Sequence, residues 1–257
     1  MPTNFTIESL LILSLFVFLA GIVDSIAGGG GLITLPAYIH SGLKMEFLLG
    51  TNKLSSTLGT LVAAIKYLKE LHFNKSYLII LIITAALGSY LGAKFICSIP
   101  VSAIKYILIL SLPPIAYTLS RKRKFGLSDF SYKSSTKNLL LKSIIIAFFI
   151  SFYDGLLGPG TGAFFALAFT SICGYDLLKS TALSKLLNFT SNISALITFL
   201  ILGRVNIKLG ALMIIAGIAG NYLGASLALK KGVWIIRPML FIVSNALLIK
   251  IIYDMMN

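Results

Sequence analysis

Residues 24–30 read DSIAGGG, and residues 154–160 read DGLLGPG. The aspartate and two glycines of these stretches coincide at an offset of 130 positions, and an offset of 132 then pairs Lys53 with Lys185. Repetition that includes charged residues in an apolar chain is typical of transporters built from two homologous halves, whose site lies where the halves meet. The repeated stretch therefore predicts a duplicated membrane protein with a site between its halves.

The composition predicts an integral membrane protein. Of the 257 residues, 57% are hydrophobic and only 12% are charged, and the mean hydropathy is +0.94. Soluble domains carry about 25% charged residues, so this chain could not cover a soluble surface with polar groups. Apolar stretches that are candidate spans occur four times in each half. They cover residues 10–27, 54–68, 77–96, 104–119, 139–157, 183–202, 209–229 and 233–253.

The predicted fold is an all-α polytopic membrane protein of about eight transmembrane helices, arranged as two homologous four-helix repeats. The first repeat covers residues 1–120 and the second covers residues 139–257, with a basic linker at residues 121–138. The formal net charge is +14, and the positive-inside rule places such a basic linker in the cytoplasm. Because no aromatic and basic soluble domain is present, nucleic acid is not an expected partner, whereas the lipid bilayer is.

Two apolar stretches are too short to cross a membrane. Residues 32–39 and 162–172 each follow a glycine cluster, at 28–31 and 158–162 respectively. Glycine runs break helices, and broken backbone at membrane depth is tolerated only inside protein or along a wet cavity. We therefore predict a discontinuous or re-entrant element in each repeat, with plain surface loops as the alternative. If these elements cross the membrane the repeats are inverted; otherwise they are parallel, and the sequence leaves this open.

Asp24 and Asp154 occupy equivalent positions just before the glycine clusters, each at the end of a long apolar run. An ionisable group inside a span is rare and costly, so it calls for a reason. One reading is a proton-relay carboxylate that allows coupling to H⁺. Another is a carboxylate that orders the broken backbone by accepting its free N–H groups. The alternative is an interfacial aspartate outside the hydrocarbon.

Lys53 and Lys185 are the second matched pair, and each lies within a polar segment beside an apolar span. An ammonium near membrane depth, surrounded by hydroxyl and amide groups, would suit a small oxyanion, and the start of the broken element could add backbone N–H donors. The alternative is a lysine that snorkels to the headgroups. The predicted substrate-binding residues are Lys53, Lys185, Asn52, Ser56, Asn188, Asn192, Gly29, Gly30, Gly160 and Thr161.

Catalytic and metal-binding motifs are missing from the sequence. It contains no GxSxG, HExxH or Walker motif, and only two histidines and eight acidic residues. We therefore expect neither an enzyme nor a metal or other cofactor. Without a nucleotide-binding motif, transport would be secondary and driven by a gradient.

Small residues form matching faces in both halves. Residues 90–93 and residues 222–225 both read YLGA, and Gly88 pairs with Gly220 at the same offset. Faces of this small-xxx-small kind allow close helix–helix approach in lipid, so packing is their predicted role. They also leave a homodimer open.

The chain resembles the sulfite exporter TauE/SafE family, also called the toluene sulfonate uptake permease family. The resemblance lies in GIVDSIAGGGGLITLPAYIHSG at residues 21–42, GTNKLSSTLGT at 50–60, DGLLGPGTGAFF at 154–165 and the YLGA pair, and it extends from about residue 20 to residue 247. It implies a multi-pass protein of the bacterial inner membrane that moves small sulfur-containing anions. The second glycine cluster departs from the first, with Pro159 and Thr161 in place of glycines.

The predicted function is secondary transport of a small anion, such as sulfite, a sulfonate or a related organic anion, with coupling to H⁺ through Asp24 or Asp154. Two alternatives remain at this point: a passive anion channel and a non-transporting membrane scaffold. A carrier saturates and shows counterflow, whereas a pore conducts in proportion to the driving force. A scaffold would not require matched polar residues within the membrane.

Overall fold

The computed structural model describes residues 6–99 and 126–256, and the regular secondary structure in these ranges is entirely helical. We number the α-helices in chain order within the described residues. They are α1 (Ile7–Ala27), α2 (Gly31–His40), α3 (Met45–Glu70), α4 (Lys75–Cys97), α5 (Thr136–Leu156), α6 (Thr161–Ala168), α7 (Leu177–Ile201), α8 (Ile207–Lys231) and α9 (Val233–Met256). A π-helical turn, Phe169–Cys173, continues α6, and a short 3₁₀ helix, Ser131–Lys133, precedes α5.

Four of the described helices, α1, α4, α5 and α8, are long and apolar enough to cross a membrane. They coincide with the predicted spans at 10–27, 77–96, 139–157 and 209–229, which confirms an all-α polytopic membrane protein. Helix α9 covers the predicted span at 233–253. The predicted span at 104–119 and the linker residues 121–125 lie outside the described residues.

Helices α3 and α7 begin earlier than the predicted spans at 54–68 and 183–202. Each takes the whole polar segment into its helix, starting at Met45 and Leu177. The polar side chains do not break the helix because their hydroxyls bond to carbonyls one turn back. Thr57 donates to the Lys53 carbonyl at 2.5 Å, and Thr190 donates to the Leu186 carbonyl at 2.9 Å. Both polar segments are therefore carried on continuous helices.

The glycine cluster after α1 turns the chain back on itself. Gly28 ends α1 in the left-handed conformation, with φ of 77°, and its N–H donates to the Asp24 carbonyl. Helix α2 then runs back along α1. Gly30, just before α2, lies against Asp24 near the end of α1, and Tyr38, near the end of α2, packs in one cluster with Leu13 in the first half of α1. Helices α1 and α2 thus form a hairpin with a broken, glycine-rich tip, where a discontinuous or re-entrant element is predicted.

The second half repeats this hairpin with α5 and α6. Gly158 and Gly160 have φ of 93° and 79°, and Thr161 at the start of α6 returns to Asp154 on α5. Farther along, the Ser143 hydroxyl and the Cys173 thiol lie 3.5 Å apart, so the π-helical turn still follows α5. The chain therefore contains two hairpins of the same design.

The tips of the two hairpins meet. The Gly28 carbonyl accepts a hydrogen bond from the Ala163 N–H at 3.3 Å. A Cβ placed on Gly28 would lie 2.1 Å from the carbonyl carbon of Gly162, so the two backbones touch with no room for a side chain. The contact brings the broken backbone of one half against that of the other, buried within protein as the membrane requires.

The two halves exchange one helix each. Helix α8 packs on α1 and α3, whereas α4 packs on α5 and α7. We call the set α1, α2, α3 and α8 the first bundle, and the set α4, α5, α6 and α7 the second bundle. The bundles meet chiefly where α3 lies against α7, and α9 covers helices of both bundles. Each bundle therefore mixes the two sequence repeats.

The YLGA faces hold these exchanged helices. A Cβ on Gly92 would lie 2.0 Å from the Phe152 carbonyl oxygen, and one on Gly220 would lie 2.1 Å from the Phe18 carbonyl oxygen. Close backbone contact of this kind is what small residues permit in lipid, which confirms their predicted packing role.

Contacts between helices give their relative directions. Along α1 and α8 the contacts advance together, from Phe18 with Gly220 to Ile22 with Gly224, and α4 and α5 show the same parallel pattern. Helices α3 and α7 run in opposite directions. Lys53 of α3 contacts Asn192 of α7, whereas Gly50, which comes before Lys53 on α3, lies near Phe199, which comes after Asn192 on α7. Helix α3 therefore points opposite to its equivalent α7, which is the relation that inverted repeats require.

Candidate substrate site

Two buried ion pairs cross between the bundles. The Lys53 Nζ lies 2.7 Å from Asp154 Oδ2, and the Lys185 Nζ lies 3.2 Å from Asp24 Oδ2. In each pair the lysine comes from the long polar helix of one half and the aspartate from the hairpin of the other. The exposed fractions of the side chains are 3% and 2% in the first pair and 1% and 15% in the second. Neither lysine reaches the surface.

Asp154 is fully supplied with hydrogen-bond donors. Besides the ammonium of Lys53, its carboxylate accepts the Ser191 hydroxyl at 2.6 Å and the Thr161 hydroxyl at 2.8 Å. Lys53 also donates to Asn192 Oδ1 at 2.8 Å. A buried charge is tolerated only when it is paired and hydrogen-bonded, and both members of this pair meet that condition.

Asp24 has a different set of partners. Its Oδ1 accepts the Gly30 N–H at 3.3 Å, across the broken backbone at the hairpin tip. Lys185 donates both to Oδ2 and to the main-chain oxygen of Asp24. The ammonium also lies beside Gly162, where an added Cβ would approach it to 3.0 Å. This pair is therefore part of the contact between the two hairpin tips.

A small cavity of about 40 Å³ lies between the bundles at the level of the ion pairs. Eight of the twelve residues singled out from the sequence line it. They are Asp24, Gly30, Asn52, Lys53, Ser56, Asp154, Asn188 and Asn192. A space of this size holds only a few water molecules.

Four of the predicted residues do not line the cavity. Lys185 lies behind Asp24, and Thr161 lies behind Asp154, where each binds the carboxylate. Gly29 packs against Val243 of α9, so that an added Cβ would lie 2.5 Å from its Cγ1. Gly160 is the left-handed residue that starts α6. The structure therefore places them around the site rather than in it.

Further polar residues at the cavity were missed by sequence reasoning. Thr34 of α2 lines it and donates to Asn52 Oδ1 at 2.6 Å. Asn221 of α8 also lines it, is 2% exposed, and has a side-chain oxygen without a hydrogen-bond partner. The repeat does contain a signal for Asn221, because the offset of 132 pairs it with another polar residue, Ser89. The Ser89 hydroxyl is also buried in the structure, where it donates to the Ser191 carbonyl at 2.6 Å.

The fold and the site together define a polytopic membrane protein with a buried, charge-balanced polar centre. Within residues 6–99 and 126–256, no group of three His, Cys, Asp or Glu side chains could hold a metal ion. The model of the sulfite exporter TauE/SafE family matches residues 13–251. The chain belongs to the TauE/SafE sulfite exporter family.

Curated relatives of the chain carry transporter names. A probable membrane transporter protein of Sinorhizobium, ORF9, is 39% identical over 92% of this chain and 90% of its own length. A probable membrane transporter protein of Haemophilus influenzae is 38% identical over 96% of both chains, and YfcA of Escherichia coli K12 is 36% identical over 97% and 93%. No solved structure matches the chain. The family and its relatives are thus described as membrane transporters, not as enzymes.

Proposed function

We propose that the protein is a secondary transporter of a small, sulfur-containing anion across the bacterial inner membrane, with the basic linker in the cytoplasm. The observation that carries this proposal is the pair of crossed Lys–Asp contacts around one small cavity. Packing alone does not need charges at this depth, because they are costly to bury and a hydrophobic replacement would serve as well. Inverted repeats around a central polar site are a general design of secondary transporters.

The cavity chemistry suits an oxyanion with several equivalent oxygens. Lys53 supplies a positive charge, and the side-chain amides of Asn52, Asn188 and Asn192 carry further donor groups at the cavity. Sulfite and sulfonates present three oxygens on one sulfur, so several of these donors can be used at once. The family description, sulfite exporter, supports the same class of substrate.

The small size of the cavity requires a conformational change for transport. About 40 Å³ cannot admit a sulfonate, so the first and second bundles have to move apart on one side at a time. Because the two bundles are related by inversion, an opening on one face has an equivalent opening on the other. The crossed ion pairs lie at the boundary between these two moving bodies.

Counterflow of labelled sulfite in proteoliposomes tests this proposal, with methanesulfonate and acetate as competitors. We expect accumulation that sulfite and methanesulfonate suppress and acetate does not. Lys53→Met should reduce counterflow at least 100-fold, while Lys75→Met, at the exposed start of α4, should leave it unchanged. A pore would show no counterflow, and a scaffold would show no flux at all.

A double variant separates binding from folding. Lys53→Met alone leaves the Asp154 carboxylate buried without its cation, which costs about 3–5 kcal/mol of folding free energy. Lys53→Met combined with Asp154→Asn removes both charges and should regain most of that stability. If the double variant is folded and still transports sulfite at the native rate, Lys53 is not part of the anion site.

A further inference from the structure

We infer that transport of a monovalent anion is electroneutral, with one proton taken up with each anion, and that Asp154 rather than Asp24 carries this proton. This inference rests on the proposed function. In it, the Lys53–Asp154 pair opens and closes in each cycle, while the Lys185–Asp24 pair stays closed and holds the hairpin tips together.

The charge count around the cavity gives the first step. Lys53 from α3, Lys185 from α7, Asp24 from α1 and Asp154 from α5 form two closed pairs, so the empty site is neutral. Three phenols also lie near these pairs: Tyr67 donates to the Ser25 carbonyl, Tyr153 donates to the Pro159 carbonyl, and Tyr38 is buried beside Ser55 of the cavity lining. A bound anion would leave an uncompensated negative charge in a water-poor interior, where such a charge is strongly unfavourable. A proton that binds with the anion restores neutrality.

The partners of the two carboxylates decide which one takes the proton. Asp154 is bonded to the hydroxyls of Ser191 and Thr161, and a hydroxyl can turn from donor to acceptor. A protonated Asp154 can therefore keep its hydrogen bonds. Asp24 is bonded to the Gly30 N–H and to the Lys185 ammonium, which can only donate. A proton on Asp24 would face these two donors.

The positions of the two lysines agree with this assignment. Lys53 lines the cavity, and after Asp154 is neutralised it is still held by the neutral amide oxygen of Asn192. Its ammonium is then available to a substrate oxygen. Lys185 does not line the cavity, and it is bound to both the side chain and the main chain of Asp24 at the hairpin tip. It can serve as a clamp without contacting substrate.

The cycle balances in protons and charge. A proton from the aqueous phase forms an O–H bond on the Asp154 carboxylate, which ends its ion pair with Lys53. The Lys53 ammonium then pairs with the monovalent anion. On the other side of the membrane the anion leaves, Asp154 releases its proton to water, and the ion pair re-forms.

The test uses the full chain in proteoliposomes with methanesulfonate, a permanently monovalent sulfonate, and with sulfite as a second probe. Net uptake is followed with an internal pH dye while a potassium gradient and valinomycin set the membrane potential. We expect one proton to enter with each methanesulfonate and the uptake rate to change less than twofold between 0 and −100 mV. Uptake that follows the potential without internal acidification would overturn the inference and leave the proposed function standing. If neither probe shows counterflow, both fail.

Two matched variants sharpen the assignment. Asp154→Asn should abolish the acidification and make the remaining uptake sensitive to the potential, because Lys53 is then permanently unpaired. Asp24→Asn should keep the ratio of one proton per anion while lowering the rate and the melting temperature. The reverse pattern would move the proton to Asp24. Ser191→Ala, which keeps every charge, should shift the pH profile of uptake by loss of one acceptor, whereas a purely structural serine would leave that profile in place.

Discussion

The hairpins α1–α2 and α5–α6 share a design and differ in what fills them. In the second hairpin, Phe165 and Phe169 are completely buried against α5. The offset of 132 places Ile33 and Ala37 at these positions in the first hairpin. There α1 and α2 leave an open groove of about 600 Å³. The second hairpin is thus packed by its own aromatic side chains, whereas the first leaves space along its inner face.

The same contrast holds at the tips. The first tip orders its carboxylate with a backbone N–H, from Gly30, and the second with a hydroxyl, from Thr161. Duplication has therefore kept the geometry while changing the chemistry. A backbone donor is fixed in role, but a hydroxyl can reverse its bond. The second hairpin is well packed, and its carboxylate is bound by a hydroxyl that can reverse its hydrogen bond. We therefore expect the two repeats to have different roles in transport.

The largest effect is expected where the two tips touch. Gly28→Ala places a Cβ about 2.1 Å from Gly162 and forces a side chain into the left-handed region. We expect the folded state to lose several kcal/mol, or not to form, because neither backbone can yield without parting the hairpins. Gly42→Ala is the matched control. Gly42 has a φ of 85° but nothing within 4 Å, so only the strain of about 1 kcal/mol applies. Thermal unfolding in detergent should separate the two variants; equal melting temperatures would mean that the tips do not touch.

An intermediate effect is expected in the hairpin cores. Phe165→Ala should destabilise the protein by about 3 kcal/mol, since it leaves a cavity in a closed core. Ile33→Ala, at the equivalent position, should cost less than about 1 kcal/mol because the side chain already borders the open groove. Chemical unfolding of both variants measures the difference. Similar losses at the two positions would contradict the contrast between a filled and an open hairpin.

The smallest effect is expected at the segment that leads into the second hairpin. Asp129 is bound by the Lys179 ammonium at 2.6 Å and by the Ser131 N–H at 2.8 Å. Partial burial raises the pKa of Asp129, but the hydrogen bonds from Lys179 and Ser131 outweigh it and hold the pKa below its ordinary value. The resulting stability is present above that ordinary value and is lost as the pH falls through the lowered pKa.

Asp129→Asn tests this with melting curves between pH 2 and pH 7. The variant should lose less than about 1 kcal/mol at neutral pH and show a smaller further loss in acid than the native protein. Glu46→Gln in the first half is the control, because its contact with Arg204 is longer, at 3.8 Å, and both side chains are 43% exposed. A larger effect at Glu46 than at Asp129 would contradict the ranking of the two pairs.

Much of the fold could be predicted from the repeated stretch. Glycine clusters after long apolar runs indicate broken backbone, and the match of Lys53 with Lys185 and Asp24 with Asp154 indicates where polar chemistry lies. The start of α3 at Met45 could not be read from hydropathy, because the polar segment lowers the apolar signal while its hydroxyls remain compatible with a helix.

The crossing of the ion pairs also lay beyond the sequence. Repetition shows which residues recur, but it does not show that the hairpin of one half reaches the lysine of the other. That depends on the exchange of α4 and α8 and on the inversion of the repeats, both of which are long-range packing properties. Asn221 was missed because an asparagine beside the small residues of YLGA has the pattern of a helix-packing face.

The crossed pairs also set an order for making the protein. Asp154, the partner of Lys53, is synthesised only after the 100 residues that separate the two. Lys185, the partner of Asp24, comes 161 positions after it. At about 5–20 residues per second, the first half enters the bilayer and waits several seconds or more with two unmatched charges. A nascent chain that stops after the first repeat lacks both of these partners. Both ion pairs can therefore form only once the second repeat has been made.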